Sequence, residues 1–176
     1  MTGDLLGDGF RLRRATAADV AFWADLAGHE EVEPFMAAVS AREEGELVAA
    51  VALSDSEPRE HGRFVLEVDG EPAGVLAFDV ANRRSRIAHL HAIMLAPRFR
   101  GRGLAAAATR LLVRHLVFDL DYHRVQLEVY GFNERALRHF ERAGFVREGV
   151  RRKAYWRHGS WVDGVAYGIV REDLDD

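Results

Sequence analysis

The chain of 176 residues has no cysteine and a single lysine, Lys153. Without cysteine, disulfides, thiolate zinc sites and a cysteine nucleophile are all excluded. A phosphate-binding loop of the NTPase type requires a Gly-Lys-Ser/Thr sequence, and the one lysine does not stand in such a sequence. There is also no run of about 18 apolar residues, and the first residues lack the layout of a signal peptide. We therefore expect a cytoplasmic protein with no membrane partner.

The composition that remains is typical of a globular domain, with 48% hydrophobic and 30% charged residues. A chain of this length usually forms one core. We find no internal repeat and no low-complexity segment. The sequence therefore predicts a single domain over residues 1–176, with short disordered ends at about 1–8 and 172–176.

Charge is distributed unevenly along the chain. The formal net charge of −4 gives no reason to expect a nucleic-acid partner. Residues 29–60 contain nine acidic residues and two arginines, whereas residues 80–118 contain eight arginines and no acidic residue. Either block could be a solvated helix face. The basic block also favours an anionic ligand, and the acidic block weakly favours a cationic one.

Hydrophobic periodicity predicts an alternation of strands and helices. Alternating patterns predict seven strands, at about 10–13, 63–68, 73–79, 87–95, 124–130, 146–155 and 161–170. Helical spacing predicts four helices, at about 16–26, 41–53, 104–120 and 133–143. Local signals support this, including Ser40 with Glu43 as a capping box, Asp69-Gly70 as a hairpin turn and Asn133 as an N-cap. This order predicts an α/β fold with a mixed central sheet of six or seven strands flanked by about four helices.

The turn Arg98–Ala105 joins the strand at 87–95 to the longest helix. Gly101 and Gly103 allow a ligand to approach the backbone closely, and the free N–H groups of a helix N-terminus attract anions. A dinucleotide-binding fingerprint fits poorly, because Ala106 occupies its third glycine position. Two interpretations of this turn remain: a solvated connection between strand and helix, or a phosphate-binding site.

Residues Arg100–Ala105 match the pattern Arg/Gln-x-x-Gly-x-Gly/Ala, which is the pyrophosphate loop of the GNAT superfamily of acyl-CoA-dependent N-acyltransferases. Pro97, Asn133 and the segment 136–145 are further matches. The segment from Glu148 to Tyr167 resembles the RimJ/RimL branch, which includes spermidine acetyltransferase-like members. The resemblance covers about residues 87–170 and implies the GNAT fold.

This resemblance implies acetyl-CoA as the acyl donor and assigns residues to it. Backbone groups at 93–95 would bind the pantetheine arm and the thioester, and those at 101–106 would bind the pyrophosphate. The implied cofactor-binding residues are Ile93, Met94, Leu95, Arg100, Gly101, Arg102, Gly103, Leu104, Ala105, Ala106, Asn133 and Phe140.

Two residues are candidates for catalysis. Glu128 points away from the apolar residues of its strand and, by resemblance, stands five residues before Asn133, where family members have a general base. It could equally be a surface glutamate. His91 is the second candidate base. His89 and His91 have no acidic third ligand nearby in sequence, so we expect no metal site. Phe140 occupies the position of a tyrosine that protonates the departing thiolate in many family members.

The resulting hypothesis is an N-acetyltransferase in which a primary amine attacks acetyl-CoA directly within a ternary complex. The acceptor would be a protein N-terminus, a polyamine, an aminoglycoside or a small metabolite. Because Phe140 replaces tyrosine, a non-catalytic acyl-CoA-binding module is an alternative, and an acyltransferase for another donor such as succinyl-CoA is a third. The resemblance also implies a homodimer.

Overall fold

One mixed sheet of eight strands runs through the molecule, and the computed structural model describes residues 3–36 and 43–174. The spatial order is β1-β2-β3-β4-β5-β6-β8-β7, in which β5 and β6 are parallel and the other neighbours are antiparallel. The strands are β1 Leu5–Gly7, β2 Phe10–Arg14, β3 His61–Val68, β4 Glu71–Asn82, β5 Ile87–Leu95, β6 Arg124–Tyr130, β7 Val146–Arg157 and β8 Ser160–Val170.

Four α-helices flank this sheet, as the periodicity predicts: α1 Val20–Gly28, α2 Glu44–Ser56, α3 Leu104–Arg114 and α4 Glu134–Arg142. The predicted start of α2 at Ala41, with its Ser40 cap, lies outside the described residues. The helix ends at Ser56, three residues later than predicted. None of the helices within residues 3–36 and 43–174 has the length and apolar character needed to cross a bilayer.

The helix predicted to run from 104 to 120 changes its geometry before it ends. After Arg114 the chain forms a π-helical turn over His115–Asp119, in which the backbone N–H of Leu120 bonds the carbonyl of His115, five residues earlier. The His115 Nδ1 lies 2.7 Å from the Asp119 carboxylate. The apolar pattern continues through this turn, so periodicity alone does not reveal the change.

The strand count is one higher than predicted, because β1 was not expected. Leu5–Gly7 pairs antiparallel with β2, and Leu5 packs against the main core. At the other end, Arg171–Asp173 forms a short 3₁₀ turn, and Leu174 packs on the same core. Residues 5–7 and 172–174, which lie within the two ends expected to be disordered, thus have apolar contacts and backbone hydrogen bonds.

A β-bulge in β5 changes which side chains face which layer. The sheet has a core on each of its two faces: the main core lies under α3, and a second core lies under α1 and α2. Ala88 and Leu90 pack into the main core, whereas Ala92 and Met94 pack into the second. The change occurs at Ala92, whose φ of 51° lies in the left-handed region, and the pairing with β4 shifts there. An extra residue in one strand produces this reversal of faces.

Strands β5 and β6 separate after a short paired stretch. Their parallel ladder runs only from Ile87 opposite Arg124 to His89 opposite Gln126, although β5 continues to Leu95 and β6 to Tyr130. Beyond His89, the facing edges of the two described strands have no ladder partner. Backbone groups on these edges are therefore available to a ligand.

Candidate functional site

A cleft of about 630 Å³ opens beside the separated strands. The end of β5, the following loop, the start of α3 and one side of α4 line it. Eleven of the twelve residues predicted to bind the cofactor lie on its wall: Ile93, Met94, Leu95, Arg100, Gly101, Gly103, Leu104, Ala105, Ala106, Asn133 and Phe140. The twelfth, Arg102, does not line the cleft; its guanidinium lies 5.6 Å from the centre of the Phe99 ring.

The loop between β5 and α3 has the backbone geometry of an anion site. Gly101 and Gly103 have φ angles of 79° and 72°, a region that favours glycine, and no other atom fills the space where a Cβ would lie. Gly103 is the N-cap of α3, and the first helical bond joins the N–H of Ala107 to its carbonyl. The N–H groups of residues 104–106 therefore have no acceptor within the helix. Together with the helix dipole, they favour a bound phosphate.

Arginines from two helices surround this loop. Besides Arg100, the cleft is lined by Arg110 from α3 and by Arg135, Arg138 and Arg142 from α4. Burial lowers the pKa of Arg100, and the nearby charge of Arg135 lowers it further. The α4 arginines were not predicted to bind the cofactor, yet their spacing of three and four residues places them on one helix face, which is a signal present in the sequence.

A segment far away in sequence closes one side of the cleft. Glu31, Val32, Phe35 and Met36 line it. Arg100 donates to the Glu31 carbonyl at 3.1 Å, and Arg157 in the closing hairpin donates to the Glu33 carbonyl at 2.8 Å. These contacts span 69 and 124 residues, so local pattern does not indicate them.

The acidic side chains in this segment are paired with arginine. The carboxylate of Glu31 lies 3.5 Å from Arg100, and that of Glu33 lies 3.3 Å from Arg157. A cationic acceptor would compete with these arginines for the two carboxylates. This weakens the expectation that the acidic block at residues 29–60 binds a cationic ligand.

Asn133 lies at the start of α4 and on the wall of the cleft. Its Oδ1 accepts a hydrogen bond from the backbone N–H of Ala136 at 3.2 Å, so it caps α4. The same residue also lines the cleft.

Phe140 is buried on α4 with its ring edge against Phe145 and has no hydroxyl to offer. Its neighbour His139 also lines the cleft, 3.4 Å from the Thr109 hydroxyl. Burial lowers the pKa of His139 to about 4, and the charge of Arg110 contributes. His139 is therefore neutral at pH 7.

This neutral histidine predicts a loss of stability in mild acid. Between pH 6.5 and 4 the unfolded chain binds a proton at His139 that the folded chain does not, so the free energy of unfolding falls as pH falls. From pH 7 to 5 the wild type should lose up to about 2 kcal/mol more than His139→Gln. Urea unfolding of both proteins at the two pH values measures this; equal losses would contradict it.

Glu128 and His91 do not line the cleft. Leu127 and Val129 on either side of Glu128 pack into the core under α3, and so does Leu90 just before His91. Glu128 and His91 therefore point to the opposite face of the sheet. The Glu128 carboxylate accepts hydrogen bonds from Tyr155 at 2.5 Å and from Arg151 at 3.1 Å. The structure thus places the two catalytic candidates on one face, beside the gap between β5 and β6.

His91 belongs to a cluster centred on Asp79. The Asp79 carboxylate lies 2.7 Å from His91 Nε2, 2.7 Å from His61 Nδ1 and 2.9 Å from Arg63 Nη1. Burial opposes ionisation of Asp79, but hydrogen bonds from His91, Arg63 and His61 hold its pKa well below the usual range. His89 stacks on His91 with ring centres 6.5 Å apart, and burial lowers its pKa.

A metal ion would need several histidine or carboxylate side chains close together. Within the described part of the chain, the one group of three that is close enough is Glu57, Glu60 and His61, which does not include His89 or His91. Arg83 and Asp79 already pair with Glu60 and His61.

Known proteins share this architecture. The family model described as the acetyltransferase (GNAT) family matches residues 54–145, just over half of the chain. The chain belongs to the GNAT acetyltransferase family. The family inferred from the loop Arg100–Ala105 is therefore confirmed, and so is its α/β fold.

This GNAT protein spans about three fifths of the length of the curated relatives that it matches. The N-acetyltransferase YokL of Bacillus subtilis is 29% identical over 114 residues, covering 64% of each chain. Spermidine N(1)-acetyltransferase of Escherichia coli is 30% identical over 109 residues, covering 62% of this chain and 58% of the relative. RimJ of Mycobacterium smegmatis, solved in complex with CoA-disulfide, has the same fold, with a TM-score of 0.79 and 24% identity over 95% of this chain and 84% of RimJ.

Proposed function

We propose that this GNAT protein transfers an acetyl group from acetyl-CoA to a primary amine by direct attack in a ternary complex. The proposal rests on the start of α3. There, Gly101 and Gly103 leave the backbone accessible, and the N–H groups of residues 104–106, which have no acceptor within the helix, face a cleft lined by arginines. Acetyl-CoA carries a pyrophosphate, for which this is a fitting site. The CoA complex of the RimJ neighbour supports it.

The proposed cofactor binding follows from the layout of the cleft. The pyrophosphate would contact residues 101–106, and the arginines of α3 and α4 would neutralise its charge. The pantetheine arm would lie along the free edge of β5, bonded to backbone groups of residues 93–95. Asn133 and Phe140 would contact the arm from α4.

The proposed reaction forms a C–N bond and breaks a C–S bond. The amine nitrogen attacks the thioester carbon, CoA leaves as its thiolate, and the proton of the attacking amine passes to a base, for which Glu128 is our first candidate and His91 our second. Phe140 cannot supply a proton to the thiolate. Free thiols have a pKa near 8.5, so a thiolate can leave without that help.

The class of amine is also a proposal. Polyamines, protein N-termini, aminoglycosides and small metabolites are the candidates, and the spermidine acetyltransferase relative supports a polyamine. We further propose that the chain is one cytoplasmic domain and forms a homodimer through β7, one of the two edge strands of the described sheet.

Release of free CoA thiol measures the reaction directly. We expect thiol release from acetyl-CoA only when an amine is present, tested with spermidine, L-amino acids, an aminoglycoside and a short peptide with a free N-terminus. Competition between acetyl-CoA and succinyl-CoA tests the donor. Tight acetyl-CoA binding without turnover on any amine would contradict the proposal and favour the non-catalytic acyl-CoA-binding module.

A further inference from the structure

The carboxylate of Glu128 lies in a closely fitted site. Its side chain is only 19% exposed. One oxygen, Oε1, accepts a hydrogen bond from the Tyr155 hydroxyl at 2.5 Å, and the other, Oε2, lies 3.1 Å from Arg151 Nη1. Each oxygen therefore has one protein partner and keeps further capacity to accept a proton or a hydrogen bond.

Gly164 on β8 provides the space for this carboxylate. A Cβ at this position would lie 2.1 Å from Oε1 of Glu128 and 2.7 Å from Cε2 of Tyr155. Gly164 pairs with Tyr130, two residues beyond Glu128 on β6, so the carboxylate reaches diagonally across the neighbouring strand. Any residue other than glycine would place its side chain where the carboxylate lies.

Tyr155 is the more rigid of the two donors. Its ring packs edge-on against Tyr130, with ring centres 5.4 Å apart, whereas the Arg151 side chain is 64% exposed. Burial raises the pKa of Tyr155 to about 12, and the hydrogen bond to Glu128 adds to this. Tyr155 therefore keeps its proton and remains a donor throughout the neutral range.

We infer that Tyr155 and Gly164 are positioning residues that fix the carboxylate of Glu128 for proton transfer from the amine. This inference rests on the proposed function, because it assigns the two residues to the base of that reaction. Tyr155 holds Oε1, and the missing Cβ of Gly164 allows the carboxylate to reach that hydroxyl. Misplacing a catalytic group by about 1 Å can cost about 100-fold in rate.

The test combines Tyr155→Phe and Gly164→Ala with Glu128→Gln in a double-mutant cycle. Tyr155→Phe and Gly164→Ala should each lower kcat on the best acceptor by about 10- to 100-fold and leave the KM for acetyl-CoA unchanged, because neither Tyr155 nor Gly164 lines the cleft. In the Glu128→Gln background neither change should lower kcat further, since both act through the carboxylate. A residue with a purely structural role would not lose its effect in this way.

Gly149→Ala is the matched control for the glycine variant. Gly149 lies on the adjacent strand β7, and a Cβ there would meet no atom within 4 Å. We expect kcat and melting temperature to remain those of the wild type. Gly164→Ala requires the end of the flexible Glu128 side chain and the Tyr155 ring to shift, and a melting temperature close to that of the wild type checks that the variant folds.

Several outcomes would overturn the inference. If Tyr155→Phe keeps full kcat while Glu128→Gln loses it, Tyr155 does not position the base. If the two losses multiply in the double variant, the residues act independently. In both cases the acetyltransferase function would stand. A wild type that transfers acetyl to no amine would overturn the function itself, and the positioning role with it.

Discussion

Replacing Gly103 with aspartate should weaken acetyl-CoA binding by about 100-fold or more, equivalent to about 2.7 kcal/mol. Gly103 has a φ of 72° and precedes three N–H groups that have no acceptor within α3. A carboxylate at this position would compete for those N–H groups and repel the pyrophosphate. Isothermal titration calorimetry with acetyl-CoA measures the change.

Two control variants separate charge from shape. Gly103→Asn adds a side chain of the same shape without charge, and asparagine tolerates the left-handed region, so we expect a loss below about tenfold. Gly70→Asp adds the same charge at a φ of 80°, also in open space, but in the β3–β4 turn outside the cleft, and should bind as the wild type does. Wild-type affinity in Gly103→Asp would show that this loop does not bind the pyrophosphate.

Short sequence signals predict the anion-binding loop and the β3–β4 hairpin of this protein. Gly101 and Gly103, placed between an apolar strand and a long amphipathic helix, predict the anion loop, and the structure places both on the cleft wall. The Asp69-Gly70 turn predicts the β3–β4 hairpin for the same reason. These features depend on the conformational preferences of a few consecutive residues.

The remaining features depend on contacts between distant residues. The segment at 31–36 reaches the cleft because Arg100 and Arg157 hold its backbone, and neither contact has a local pattern. The bulge at Ala92 reverses the faces of the following residues, although strict alternation predicts no reversal. Alternation does predict that Glu128 points away from the core, but not that Tyr155 binds it.

The largest catalytic effect is expected for Glu128→Gln, which should lower kcat by about 10²- to 10⁴-fold. Glutamine keeps the shape of glutamate and can still accept the Tyr155 hydrogen bond, but it cannot take a proton from the amine. The affinity for acetyl-CoA should not change, because Glu128 lies outside the cleft. Steady-state kinetics at saturating acceptor, with calorimetry for acetyl-CoA, measure both quantities.

His91→Gln is the comparison that decides between the two candidate bases. The Nε2 of His91 is bound to Asp79 at 2.7 Å, and that carboxylate also holds His61 and Arg63. Loss of His91 should therefore lower the melting temperature, because Asp79 loses one of its hydrogen-bond partners, and should lower kcat less than about tenfold. If His91→Gln instead loses more kcat than Glu128→Gln, the Asp79-bound histidine is the base, and the Glu128 carboxylate serves only to hold β6, β7 and β8 together.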